Sequence, residues 1–392
     1  VRSFEAVLEA ELAELVAIGR RRACPEVAGP SRTSVEVSGE TRLSFCSNDY
    51  LGLADHPALA TAANAAAARD GFGASASRLV SGDLPAHRQL EQALARFFGR
   101  QAALVFPTGY QTNIGVLTAL AGPDDVIVSD ALNHASIIDG CRLSRARIAV
   151  YPHGDADVAA QLLDQARGAR RRLLVTESLF SMNGDGAPLT RLAQAAKSHD
   201  AILIVDEAHA VGVLGPRGRG LCAEAGLEPD VLIGTLGKAL ATAGGFAAGS
   251  RVLRDLLVNR ARSFIFTTAL PPPVAAAALT ALEIVDSAEG DQRRALLRAH
   301  ADRLAPQLAE LRIACLETPA DPVAGSPIQP FVMGTDAAAL ALSAALAERR
   351  IFVPAIRPPT VPVGSARLRI TLSASHAPAD LDRLIGALRP LP

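Results

Sequence analysis

Ile202-Leu203-Ile204-Val205 is an uninterrupted apolar run closed by a carboxylate, Asp206. A strand that is apolar at every position has no side to turn toward water, so it must be covered on both faces. Six other β-rich runs lie at 103–106, 126–129, 147–151, 173–177, 231–235 and 245–249. Between them fall helical patterns at 109–120, 135–143, 155–167 and 189–199. This alternation predicts an α/β domain built on a mostly parallel, seven-stranded sheet with helices on both faces.

The ends of the chain are organised differently. Three prolines at 271–273 break the pattern, and 274–287 then reads as a long helix. From about residue 290, a helix–strand–helix–strand–strand–helix succession ending at Leu391 predicts a smaller α+β domain. The first 50 residues read as an arm with a helix and an edge hairpin of strands 34–37 and 43–46. The expected division is therefore 1–50 for the arm and hairpin, 51–285 for the large domain and 286–392 for the small one.

Charge excludes two classes of partner. Lys+Arg (39) and Asp+Glu (40) nearly cancel, which leaves no basic field for nucleic acid or an anionic membrane. No apolar run reaches ~18 residues. The acidic, helically spaced first 22 residues do not read as a signal peptide. The five cysteines form no C-x-x-C pair, which argues against a disulfide framework or structural zinc and points to a reducing cytoplasm. Only two of the 39 basic residues are lysines, Lys197 and Lys238. In a chain that writes Arg almost everywhere, a surviving lysine asks for a reason.

Several short motifs fail on their context. Asp206-Glu207-Ala208-His209 spells the DEAH of a nucleotidase, but no upstream phosphate loop accompanies it. Thr235-Leu236-Gly237-Lys238 has S-x-x-K spacing with Thr for Ser and no partner motif. Gly218-Arg219-Gly220 lies in a Pro/Arg-rich loop instead of between a strand and a helix. His134, His153 and His209 lack metal-ligand spacing, so no metal is expected.

What remains is a constellation at strand ends. Asp206 closes the most apolar strand, where a carboxylate is costly without a cationic or hydrogen-bonded partner; capping the following turn is the plainer account. Lys238 follows the next strand, flanked by Thr235, Gly237 and the Gly244-Gly245 pair. A lysine amine can be desolvated and deprotonated to attack a carbonyl, whereas a guanidinium stays protonated; a solvated loop lysine is the alternative. Gly109-Tyr110 opens a helix directly after a strand and offers free N–H groups to a phosphate. A nucleophilic lysine, an Asp for a pyridinium nitrogen and a helix N-terminus for a phosphate are together what pyridoxal 5′-phosphate requires.

Longer motifs agree. Ser47-Asn48-Asp49-Tyr50-Leu51-Gly52, Asn133-His134-Ala135-Ser136, Phe180-Ser181-Met182-Asn183-Gly184-Asp185, Gly234-Thr235-Leu236-Gly237-Lys238 and Phe266-Thr267-Thr268-Ala269-Leu270-Pro271 occur in order along nearly the whole chain. In these the sequence resembles the α-oxoamine synthases of the fold-type I pyridoxal-phosphate enzymes. Ala355-Ile356-Arg357-Pro358-Pro359-Thr360 and Ala366-Arg367-Leu368-Arg369-Ile370-Thr371 are most similar to the branch that serves biotin synthesis.

The resemblance implies a fold-type I transferase that is a cytoplasmic homodimer with its active site at the interface. It further implies that Lys238 would hold the cofactor covalently, Asp206 would pair with the pyridine nitrogen, and His134 would stack on the ring. His209 and Ser181 would bond near the phenolic oxygen. Thr235, with Gly109 and Tyr110, would take the phosphate, and Thr267 and Thr268 would reach it from the other subunit. Arg357, helped by Asn48, would grip the amino acid carboxylate. Thr360 and an N-terminal arginine would face the acyl-CoA. Arg20 is the expected arginine, although Arg20-Arg21-Arg22 leaves the register open and also reads as a solvated helix end. The implied substrates are L-alanine and pimeloyl-CoA, joined with loss of CO2 and CoA; the alternative is a sister enzyme with another amino acid or acyl-CoA.

Overall fold

All seven apolar runs are strands of one sheet in the computed structural model, which describes residues 3–29, 33–311 and 322–389. In chain order they are β1 (Ala102–Phe106), β2 (Val126–Asp130), β3 (Arg147–Tyr151), β4 (Arg172–Glu177), β5 (Ile202–Asp206), β6 (Val231–Thr235) and β7 (Gly245–Gly249). Their spatial order is β1-β7-β6-β5-β4-β2-β3. β7 is antiparallel to both neighbours, and the other pairs are parallel.

The apolar runs are used on both faces, as their composition demands. Ile204 packs into one core with Ile127, Leu173 and Val175, under the helix Gly109–Leu120. Its neighbours Leu203 and Val205 point the other way and join Val128, Leu174 and Leu192. Burying one Leu or Ile side chain contributes roughly 1.5–3 kcal/mol, so this two-sided burial dominates the domain's stability. β3 is one of the two edge strands and leaves Val150 exposed.

The parallel arrangement gathers strand C-termini along one edge, where an open α/β sheet places its ligands. Glu177 stands directly beside Asp206 in the β4–β5 register, and Thr235 closes β6. The N-terminus of helix Gly109–Leu120 presses against the start of β7. A Cβ on Gly245 would come within 2.6 Å of the Gly109 Cα and 2.5 Å of the Thr112 Oγ1. Gly245→Ala is therefore expected to destabilise the domain by about 1–3 kcal/mol. Gly386, in an open helical position with nothing near its missing Cβ, should gain up to about 1 kcal/mol from the same change. Thermal melts of the two variants check the contrast.

Outside this sheet the expectations need adjustment. The hairpin pairs Ser34–Val37 with Glu40–Ser44, so its second strand starts three residues early and stops before Cys46. The reason is the turn: Ser38 (φ 51°) and Gly39 (φ 82°) both take the left-handed region, making a two-residue connection with no slack. Ile351–Phe352 adds to this hairpin in parallel, which inserts a further short strand into the C-terminal succession and ties the arm to that region. The remaining C-terminal strands form a sheet of order Ile328–Gly334, Ala366–Thr371, Ala355–Ile356. The helix after the prolines spans Pro272–Val285, because proline is well suited to the first helical turn. The last helix is Pro378–Leu388; the expected end at Leu391 lies outside the described residues. No helix of the described residues is long and apolar enough to cross a membrane.

Candidate active site

Asp206 is buried at the C-terminal end of β5. Its Oδ1 accepts the Ala208 N–H at 2.9 Å, which is the turn cap. Its Oδ2 accepts Asn113 Nδ2 at 2.8 Å, from a helix 93 residues away in sequence. The carboxylate thus caps its own turn and also anchors a longer network. Asn113 Nδ2 donates its second hydrogen to Ser136 Oγ at 2.9 Å. Ser136 N–H donates to His134 Nδ1, so that nitrogen is an acceptor and takes the Ser136 hydroxyl hydrogen as well, at 2.7 Å. The hydrogen of the neutral His134 ring is then on Nε2. Burial lowers the His134 pKa, with the Asp206 charge opposing.

Lys238 follows β6, and its Nζ lies 2.8 Å from His209 Nε2. Burial lowers its pKa to about 8; Asp206 and Glu177 hold it up, while Arg369 presses it down. The amine is therefore available as a neutral nucleophile within reach of physiological pH. His209 is pushed well below its usual pKa, by burial first and then by Lys238 and Arg369. With Lys238 donating to Nε2, the hydrogen of the neutral ring is on Nδ1, 2.7 Å from the Tyr50 hydroxyl. Tyr50 donates to Asn48 Oδ1 at 3.0 Å and accepts from Arg369 Nη2 at 3.2 Å. Arg369 Nη1 also reaches Asn48 Oδ1 at 3.1 Å, and its Nε donates to the Ser181 carbonyl. One connected chain therefore runs Lys238–His209–Tyr50–Asn48–Arg369–Ser181.

Next to it stands Glu177, fully buried, with Oε1 lacking a hydrogen-bond partner. Burial and then the adjacent Asp206 raise its pKa to about 8, with the Lys238 charge opposing.

The phosphate-sized end is built from backbone. Thr108 caps helix Gly109–Leu120 by accepting the Gln111 N–H at 3.0 Å, leaving the N–H groups of Gly109 and Tyr110 at the open helix end. Thr235 Oγ1 lies beside them, 3.4 Å from where a Gly109 Cβ would sit, and accepts the Gly237 N–H at 3.2 Å. Side chains at Gly109 or Gly245 would crowd this cradle. A helix N-terminus with a hydroxyl fits a phosphate, and the amine and carboxylate of Lys238 and Asp206 fit an aldehyde and a pyridine nitrogen. The residues present thus suit pyridoxal 5′-phosphate.

Other expected residues lie apart from this hydrogen-bonded cluster. Arg357 donates to the Gly19 carbonyl, Arg22 to the Pro358 carbonyl at 3.1 Å, and Arg20 pairs with Asp336 at 3.2 Å. These contacts hold the arm against the 355–360 segment and the start of the helix Asp336–Glu348. Thr360 lines a cavity of about 250 Å³ together with Ser181, Phe180, Met182, Val361 and Arg367. Thr267 is half-buried and Thr268 exposed after the short helix Arg262–Ile265. Tyr50, Asn113, Glu177 and Arg369 are the residues that sequence reasoning gave no role. Tyr50 and Arg369 stood inside matched motifs, which was the available signal.

Comparison with known proteins agrees with this geometry. Residues 40–388 match the family model described as aminotransferase class I and II. An 8-amino-7-oxononanoate synthase of Marinobacter nauticus is 52% identical over 92% of this chain and 90% of its own. One from Anaeromyxobacter dehalogenans is 51% identical over 97% and 94%. Among solved structures, a serine palmitoyltransferase from S. paucimobilis with bound PLP superposes with a TM-score of 0.91 at 30% identity, covering 99% of this chain and 98% of that one. An 8-amino-7-oxononanoate synthase from Francisella tularensis gives 0.76 at 28%, covering 89% and 97%.

Proposed function

Because the chain belongs to the aminotransferase class I and II family, we propose that it is a pyridoxal-phosphate-dependent acyltransferase of biotin biosynthesis. It condenses L-alanine with pimeloyl-CoA to give 8-amino-7-oxononanoate, CoA and CO2. The observation that carries this reading is the half-identity to 8-amino-7-oxononanoate synthases across nearly the full chain. The Lys238–Asp206 pair supports its chemistry.

When bound, the cofactor supplies an aldehyde for lysine and amine, and a protonated ring that draws electrons from the α-carbon. The chain's own residues do the rest. Lys238, its amine close to half-neutral at pH 8, holds the cofactor and then takes and returns the proton at the α-carbon. Asp206 keeps a negative charge facing the pyridine nitrogen, fixed by Asn113 and Ala208. His134, its ring orientation set by Ser136, would cover the cofactor ring, and His209 and Ser181 would serve its phenolic oxygen. Gly109, Tyr110 and Thr235 hold the phosphate. Arg357 and Asn48 take the amino acid carboxylate, joined by Arg369, whose bidentate fork already reaches Asn48 and Tyr50. Arg20 and Thr360 face the acyl group, and the cavity beside Thr360 offers it the apolar side chains of Phe180, Met182 and Val361.

A homodimer is the assembly we assign. Phe72, Val80 and Phe266 are largely exposed, and the Ala269 N–H to Ala76 carbonyl bond joins the segments that carry them, beside Thr267 and Thr268. Exposed side chains of this kind call for a partner, and a second copy would bring those threonines to the phosphate. Division into 1–50, 51–285 and 286–392 is retained as our reading. Cys24, Cys46, Cys141 and Cys222 are free thiols, which supports a cytoplasmic site; Cys315 lies outside the described residues.

The likeness to serine palmitoyltransferases favours one competing substrate pair. Measuring CoA release across alanine, glycine and serine against pimeloyl-, acetyl- and palmitoyl-CoA separates them. Alanine with pimeloyl-CoA is expected to dominate; a silent result there beside turnover of serine with palmitoyl-CoA would overturn the assignment.

A further inference from the structure

His153 lies outside the Lys238 network, yet it joins two loops that enter it. Its Nδ1 is 3.0 Å from Asp130 Oδ1 and its Nε2 is 2.6 Å from Asp185 Oδ2. Both carboxylates are buried, and the imidazole is largely so. A neutral imidazole has a single N–H, so one of these oxygens would face a nitrogen lone pair. With both carboxylates ionised, only the doubly protonated ring satisfies both contacts.

Each of these aspartates belongs to a loop, Asp130 through its carboxylate and Asp185 through its backbone. Asp130, at the end of β2, also accepts the Leu132 N–H at 2.8 Å and the Gly154 N–H at 3.0 Å, which sets the turn leading to His134. Asp185 closes the 180–185 turn, where its carbonyl accepts the Phe180 N–H and Gly184 N–H bonds the Phe180 carbonyl, both at 2.9 Å. That turn carries Ser181, whose carbonyl accepts from Arg369. The Phe180 ring stands edge-on to His153, with centroids 4.3 Å apart. Two buried carboxylates against one cation would leave excess negative charge, which Arg367, bonded to Asn183 in the same turn, offsets.

We propose that His153 is a positioning residue: a permanent imidazolium that ties the His134 loop to the Ser181 loop and so sets the two sides of the cofactor pocket. This inference rests on the pyridoxal-phosphate reading of the Lys238 site. The charged groups facing His153 are Asp130 from β2 and Asp185 from the 180–185 turn, with Arg367 behind Asp185 and the neutral Tyr151 near Asp130. Burial alone would lower its pKa; the two carboxylates outweigh burial and lift it to about 10.

The experiment has two arms on the full-length protein. In the first, imidazole ¹⁵N resonances of the wild type are followed with pH: both ring nitrogens of His153 should stay protonated from pH 7 to about 9. A ring that is neutral at pH 8 overturns the proposal. In the second, His153→Gln, Asp185→Asn and the double variant are compared by visible circular dichroism of the bound cofactor, thermal melt, and kcat and KM for CoA release. His153→Gln should lower kcat on the order of 100-fold with a smaller change in KM, because the ring-facing groups are displaced while Arg357, bonded to the Gly19 carbonyl, is not. The cofactor band should change shape in both single variants, and the double variant should cost no more than His153→Gln alone, which already removes the Asp185 contact. Additive losses, or a wild-type spectrum and kcat in a folded His153→Gln, would refute the tie. A wild type that binds no pyridoxal phosphate would instead defeat the functional reading, while the ¹⁵N titration would still decide the charge of His153.

Discussion

Lys238→Arg loses CoA release by on the order of 10,000-fold or more, together with the yellow colour of the bound cofactor, although the charge at the position is kept. The guanidinium stays protonated at any workable pH and has no free pair to attack an aldehyde. Lys238, by contrast, has been brought to a pKa of about 8 by burial, against the opposing pull of Asp206 and Glu177. The sign of the pH dependence follows. Below pH 8 the amine is mostly protonated and unreactive, so cofactor uptake by the apo-protein should quicken as pH rises and level off above about 8. Stopped-flow absorbance at a series of pH values checks this. The other lysine is the control: Lys197 is exposed in the last turn of the helix Leu189–Ser198. Lys197→Arg should leave kcat unchanged and alter stability by no more than about 0.5 kcal/mol. Appreciable turnover by Lys238→Arg would end the assignment of Lys238 as nucleophile.

Much of the frame behind that experiment was legible because it depends on local pattern. An apolar run such as 202–205 has no polar face, so two-sided burial follows from composition, and the carboxylate that ends it is conspicuous. The hairpin was misplaced because two residues with positive φ leave no loop to read, and φ is not visible in a string of Ser and Gly. Arg369 was missed for a different reason. Arg367-Leu368-Arg369 alternates like a half-exposed strand, yet all of Ala366–Thr371 is buried, because the 180–185 turn and the 48–50 segment cover its polar face. Asn113 in mid-helix reads as an ordinary polar residue. Its partner Asp206 is 93 positions away, and Tyr50 meets His209 across 159. Contacts of that span are decided by packing, and no periodicity within one segment reports them. Arg357 shows the converse. A motif supplied its role, while in the folded chain its guanidinium bonds Gly19 and Arg369 is the arginine already joined to the Lys238 network.

Asp206→Asn is the second substitution expected to be severe, lowering kcat by on the order of 1,000-fold in a protein that still folds and still colours with pyridoxal phosphate. The shape is nearly conserved, so the loss is electrostatic. Two donors converge on the carboxylate, Ala208 N–H on one oxygen and Asn113 Nδ2 on the other, and an amide can accept only one of them. If the amide keeps the Ala208 bond, its NH2 group faces the Asn113 NH2. Asn113 must then turn its buried, partnerless Oδ1 inward, which breaks its bond to Ser136 and frees His134. Removing the charge also acts on both neighbours. Asp206 raises the pKa of Lys238 and of Glu177, so the Lys238 amine should titrate lower and Glu177 should ionise more readily. The pH profile of kcat should therefore shift to lower pH as its height collapses, an outcome that simple loss of fold would not give. Without the anion, Asp206→Asn would no longer favour a proton on the pyridine nitrogen, and proton removal by Lys238 would lose the electron withdrawal that a protonated ring supplies. A kcat within about tenfold of wild type, the expected range for an ordinary lost hydrogen bond, would show that the Asp206 charge is not what drives the reaction.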